Sequence, residues 1–263
     1  MVSLIYGIII IFSTFLGAFV GLGGGVIIKP LLDLIGRDTV DVVNFISTCA
    51  VFSMSISSSI KHIRNKTKID FRFVITLSIG AVIGGILGSG TFNLLIERFD
   101  LELLKGIQGL ILGLLLVASV IYINLKNKKS FDIKSPVGIA SVGLILGFIA
   151  SFLGVGGGPI NVAFLVLFFS MTMKESAVYS VIIIFFSQLS KLISMGVSQS
   201  VPQVSTVTLA VAIVCAVLGG IFGAWANNRS SEKTVKVIFT VIISALSLVN
   251  FYNATVGIVN YIS

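Results

Sequence analysis

The stretch Gly21-Leu22-Gly23-Gly24-Gly25 returns as Gly154-Val155-Gly156-Gly157-Gly158, offset by 133 residues in a chain of 263. Each copy follows a long apolar block and opens onto a short one. Glycine accepts left-handed dihedrals and close backbone approach, so three in succession should break a membrane helix. Working outward at the same offset, Ser47 falls on Ser180 and Phe52 on Phe185. Further on, AVIGGILG (Ala81 to Gly88) returns as AVLGGIFG (Ala216 to Gly223), offset by 135. Two ordered matches at nearly equal offsets mark an internal duplication. The sequence divides into a first repeat over 1–125, a basic linker over 126–136 and a second repeat over 137–263.

The blocks around the glycines set the fold class. A helix needs about 20 apolar residues to cross the hydrocarbon of a bilayer. Eight blocks approach or reach that length, at 3–22, 40–60, 73–95, 103–123, 137–154, 176–195, 205–226 and 235–257. Two shorter stretches, 26–36 and 159–171, follow the glycine clusters and read as half-helices or short, steep crossings. The expected fold is therefore all-α and polytopic, with eight long spans plus two short segments. Composition agrees: 56% of residues are hydrophobic and 11% charged, against about 25% charged in soluble domains. Lipid, not water, must face most of the surface, and the expected location is the cytoplasmic membrane.

The net charge of +8 does not imply nucleic acid, because the lysines and arginines occupy gaps between apolar blocks, as cytoplasmic loops do. Cys49 and Cys215 each lie inside an apolar block and form no metal or disulfide motif, and His62 has no partner at zinc-ligand spacing. No phosphate-binding GxxxxGK[ST] is present, no catalytic constellation stands out, and no cofactor is expected. The N-terminal MVSLIYGIIIIFSTFLGAF lacks a basic leader and a small-residue cleavage site, and reads as a first span.

Charge also orients the chain. Loop 61–72 carries Lys61, Arg64, Lys66, Lys68 and Arg72, and loop 124–135 carries Lys126, Lys128, Lys129 and Lys134. Both should be cytoplasmic, with the mostly acidic loop 96–102 outside. In the second half, 195–204 is free of Lys and Arg, whereas 227–236 holds Arg229, Lys233 and Lys236. The basic loop of one half thus corresponds to the uncharged loop of the other, the pattern of an inverted repeat. It requires five crossings per half. The rival, four spans per half in parallel with re-entrant short segments, puts 227–236 outside, against the charge rule.

Broken helices at membrane depth expose backbone N–H groups that only a cavity or buried protein can accommodate. A half-helix starting there presents free donors and a positive dipole end, which is an anion site. The candidates are Gly23, Gly24 and Gly25 in the first repeat and Gly156, Gly157 and Gly158 in the second, with Pro159 suited to a first helical turn. Lys29 lies one turn into the first short segment. It neutralises a bound anion, pairs with Asp33, or snorkels to the interface. Asn161 is the nearest polar residue in the second short segment. The span from Val42 to Ile60 is rich in hydroxyls, and its counterpart carries Ser180, Ser187, Gln188, Ser190 and Lys191. Ser47, Ser180 and Gln188 are candidate lining residues, and Gln188 and Lys191 should share a face. The pairs Gly84-Gly85 and Gly219-Gly220 read as helix-packing sites.

On the duplicated GxGGG clusters and on Pro30-Leu31-Leu32 after the first, the chain resembles the TauE/SafE family of membrane proteins, the sulfite exporters. The resemblance runs through size, duplicated halves and motif placement. The second half departs from the first, with Pro159 early and Ala163 where the later Pro would stand. The resemblance implies transport of a small inorganic or organic sulfur anion, such as sulfite, an organosulfonate or thiosulfate. The expected function is a secondary transporter working by alternating access, with a proton or ion as a candidate coupling partner. An anion channel and a non-transporting scaffold or sensor are the alternatives. Oligomeric state is not legible in the sequence.

Overall fold

A computed structural model describes residues 2–262 other than 66, 68, 97, 127, 128, 155, 156, 198 and 200. The described residues form ten α-helices and no strand. The first five are α1 (Val2–Val20), α2 (Gly25–Ile35), α3 (Val40–Arg64), α4 (Phe71–Ile96) and α5 (Leu101–Asn124). The second five are α6 (Pro136–Phe152), α7 (Gly158–Phe169), α8 (Met173–Val197), α9 (Thr206–Arg229) and α10 (Glu232–Ile262). Each half reads long, short, long, long, long, except that α6 has only 17 residues. Among the described residues seven helices are long and apolar enough to span a membrane, and the protein is a multi-pass membrane protein. The eighth expected long span, 137–154, is the shortened α6. Ser135 caps its start by accepting from the Gly138 amide at 3.1 Å, and a turn with Gly154 at φ +67° follows its end.

The short helices begin at the last glycine of each cluster. Gly24 (φ 75°) and Gly157 (φ 90°) take the N-cap positions in the left-handed region, where a Cβ is costly. At Gly24 a Cβ would also lie 2.8 Å from the Ser13 carbonyl oxygen. The chain therefore turns here against the backbone of α1, which only glycine allows.

Small residues bring the long helices together. Gly80, Gly84 and Gly88 of α4 lie against the backbone of Ala140, Leu144 and Phe148 of α6, and Gly143 and Gly147 of α6 lie against Leu77 and Ala81 of α4. Gly219 and Gly223 of α9 pack on Ile11, Phe15 and Phe19 of α1 in the same way. The packing reading of Gly84 and Gly219 is met, since no side chain larger than hydrogen fits either contact. Residue numbers rise together along α4 with α6 and along α1 with α9, so both pairs run parallel. In the third pair the order reverses. Gly109 of α5 faces Asn250 and Ala254 of α10, and Asn124 bonds Thr240 at 3.1 Å, so α5 and α10 run antiparallel.

The layering is that of a protein in lipid. Ile79, Ile83, Leu114, Ile121, Phe222, Val241 and Leu248 are exposed, while Ser13, Thr14, Ser47, Thr48 and Ser180 are buried. One end of the bundle gathers the basic residues. There the Lys174 ammonium donates to the Asn228 carbonyl at 3.3 Å, and the Glu232 carboxylate accepts from the Met173 and Lys174 amides. The Asp70 amide donates to the Tyr179 hydroxyl at 2.8 Å. The linker lies alongside the end of α7, with the Phe131 and Ile133 amides donating to Leu167 and Phe168 at 2.8 and 3.0 Å.

Candidate functional site

Between α2, α3, α4, α8 and the end of α6 lies a cavity of about 380 Å³. It starts at Gly23, Gly25 and Val26 and runs toward the end of the bundle where α8 finishes, at Ser194 and Met195. Its walls carry Lys29, Ser47, Thr48, Gly85, Ser89 and Ser151, and on α8 Ser187, Gln188, Ser190 and Lys191.

The α2 N-terminus supplies donors. The amides of Ile27 and Ile28 both reach the Gly24 carbonyl, at 2.9 Å each. The amides of Gly25 and Val26 have no hydrogen-bond partner among the described residues, as expected at the head of a helix, and both residues line the cavity. The Ser47 hydroxyl also lacks a protein partner among the described residues, and it lies beside Gly25. Lys29 and Lys191 both line this space. Lys29 has no carboxylate at ion-pairing distance among the described residues, and Asp33 is exposed. Two cations, two free amides and a row of hydroxyls thus face one small volume. Its chemistry suits an oxyanion, because the ammoniums, the free amides and the Ser47 hydroxyl can donate to one, whereas the Thr48 and Ser89 hydroxyls already donate to the Asn44 and Gly85 carbonyls.

The sequence candidates divide. Gly23, Gly25, Lys29, Ser47 and Gln188 come together on the cavity wall. Gly24 stands behind them as the α2 cap. The second cluster does not mirror the first. Gly157 caps α7 against the Asn161 amide, Asn161 is buried away from the cavity wall, and Gly158 packs on the Leu22 backbone. Ser180 donates to the Gly21 carbonyl at 2.6 Å and is wholly buried. Gly156 lies outside the described residues. Only Gly154 of the second motif reaches the cavity among the described residues.

Sequence reasoning did not select Lys191, Ser89, Ser151 or Gly85 as lining residues. Lys191 carried a signal, its place one turn after Gln188 on the same face. Gly85 did not, because a glycine beside an open space reads like a glycine beside a helix. His62, read as a loop residue, is instead the buried last turn of α3, beside Asn228.

Residues 6–249 match the family described as Sulfite exporter TauE/SafE. The chain belongs to the TauE/SafE family. A relative, the Probable membrane transporter protein YunE of Bacillus subtilis (strain 168), is 26% identical over 249 residues, covering 86% of this chain and 89% of its own. This TauE/SafE protein is thus a membrane transporter by family, and the family match spans both glycine clusters. In this TauE/SafE protein the cavity gathers polar donors from α2, α3 and α8.

Proposed function

We propose that the protein is a secondary transporter for a small sulfur-containing oxyanion such as sulfite, an organosulfonate or thiosulfate, and that it works by alternating access. The observation that carries this reading is the cavity at the head of α2, where Lys29 and Lys191 converge with the unpartnered amides of Gly25 and Val26. Charged donors at membrane depth are costly unless a ligand or water uses them. The family's printed description supports a sulfur anion as that ligand.

The halves 1–125 and 137–263 form an inverted repeat in this reading, with the basic end cytoplasmic. Helix directions support it. If all ten helices cross in turn, α1 and α9 run alike, α4 and α6 run alike, and α5 opposes α10, as their registers do. With re-entrant short helices, α5 and α10 would run alike. The charge rule points the same way, because Lys174, Arg229, Lys233 and Lys236 share an end with Lys61, Arg64 and Lys134.

The test is flux in proteoliposomes with sulfite, thiosulfate or sulfoacetate, alongside thermal stabilisation by the same anions. Saturable flux of one sulfur anion, reduced in Lys29→Ala, is expected. Absence of flux with every anion in folded protein overturns the reading.

A further inference from the structure

Gly85 and Gly220 hold corresponding places in the duplicated AVIGGILG and AVLGGIFG, yet their surroundings differ. Gly85 lines the open cavity together with Ser187 and Ser190. Gly220 is shut against α3, where a Cβ would lie 2.7 Å from the Met54 carbonyl oxygen and inside contact distance of the Ser57 hydroxyl. At the 133-residue offset, Met54 and Ser57 are the counterparts of Ser187 and Ser190. The same three positions are therefore spread apart in one half and closed in the other.

A second feature lies on that closed seam. A groove of about 450 Å³ follows α3 and α9 toward the basic end, with Lys61 and Arg64 at its mouth. Four of its lining residues, Ser57, Lys61, Val217 and Ile221, are the counterparts of Ser190, Ser194, Val82 and Ile86, which all line the open cavity. On α3, the hydroxyls of Ser58 and Ser59 are buried without a hydrogen-bond partner among the described residues, and His62 is buried beside the Asn228 amide. Ser58 is the counterpart of Lys191, which faces the open cavity. Buried polar groups are normally satisfied, so a set left unpaired in one arrangement points to another in which water or a ligand reaches it.

We infer that the α3–α9 seam is the closed gate of the same pathway, and that parting of α9 from α3 at Gly220 opens a second vestibule for the anion, walled by Ser57, Ser58 and His62 and headed by Lys61 and Arg64. This rests on the transporter reading above. The open cavity and the closed groove are the two faces of one path, and only one of them is open at a time.

The test uses the full chain in membrane vesicles of both orientations, with Cys49→Ala and Cys215→Ala. Single cysteines Ser57→Cys and Ser190→Cys are labelled with a membrane-impermeant maleimide, and sulfoacetate, which is inert to maleimide, serves as the anion probe. Gly220→Leu acts as a wedge in the seam, and Gly220→Ala is a smaller one in case the larger blocks folding. A closed state that is about 10% or less open gives a labelling gain on the order of tenfold when the wedge holds it open. Either wedge should raise Ser57→Cys labelling from the basic-loop side and lower Ser190→Cys labelling from the opposite side. Ser57→Cys labelling unchanged by the wedges while sulfur-anion flux persists would overturn the gate and leave the transporter standing. Blocking by phosphatidylglycerol regardless of the wedge would also overturn it, and make the groove a lipid seat. Reciprocal labelling with no flux would instead overturn the transport reading.

Discussion

Phe52 of α3 stacks on Phe185 of α8, with ring centroids 5.4 Å apart and an interplanar angle of 16°. They are the same position of the duplicated sequence, offset by 133 residues. A residue that meets its own counterpart lies on the axis relating two repeats, so in the inverted-repeat reading this ring pair marks the centre of the molecule. Replacing Phe52 by Leu keeps volume roughly but loses the ring pair, worth about 0.5–1.5 kcal/mol beyond its area. Lower thermal stability is expected for Phe52→Leu and for Phe185→Leu, and the double variant should fall less than the sum of the two.

The two lysines of the cavity should be separable from its fold. Lys29→Ala and Lys191→Ala each remove one unneutralised cation from the wall. A charge-assisted hydrogen bond contributes about 1.5–3 kcal/mol, so anion affinity should fall by roughly ten- to a hundredfold in each variant. Thermal stability without anion should hold or rise, since a desolvated charge is gone. Titration by thermal shift against sulfite and sulfoacetate checks this, and unchanged affinity in both variants would remove the lysines from the site.

Ser180 makes the opposite case, a candidate whose role is structural. Its hydroxyl donates to the Gly21 carbonyl at 2.6 Å in a wholly buried position. Ser180→Ala strands that carbonyl, at a cost of about 1–3 kcal/mol. The expected result is a lower melting temperature with little change in anion affinity. For Ser47→Ala the expected pattern is reversed, because its hydroxyl faces the cavity unpaired.

Glycine positions should rank by geometry. Gly24→Ala meets both a left-handed φ of 75° and the Ser13 carbonyl at 2.8 Å, and should lose at least about 1–2 kcal/mol. Gly90, inside α4, has open space where a Cβ would stand. Gly90→Ala should gain about 0.5–1 kcal/mol from helix propensity. Unfolding in mixed micelles measures both, and equal effects would contradict the cap geometry.

Glu232 fastens the start of α8 by accepting from the Met173 and Lys174 amides. It works as an N-terminal cap supplied from another helix, with its negative charge at the positive end of the dipole. Glu232→Gln keeps an acceptor and should cost less than about 1 kcal/mol, whereas Glu232→Ala should cost about 1–2 kcal/mol. Hydrogen exchange at the first turn of α8 reads the difference directly.

The division between sequence and structure follows from the range of the forces involved. Hydropathy blocks, glycine clusters and the repeat are local, and they sufficed to set the helical, polytopic class, to start α2 and α7 at Gly25 and Gly158, and to single out Gly25, Lys29, Ser47 and Gln188. The local reading overran at 137–154, expected as a long span, where the helix has 17 residues, Pro136–Phe152. What the chain could not state alone is which copy of each repeated position is open. Ser47 and Ser180 are the same residue in the same place of the repeat, as are Gly85 and Gly220. One of each pair faces the cavity, and the other is closed against Gly21 or Met54. Matching motifs packed into one bundle need not share one environment, and here packing between distant segments sets them apart. That choice depends on contacts between residues more than 130 positions apart, and only the tertiary structure makes it.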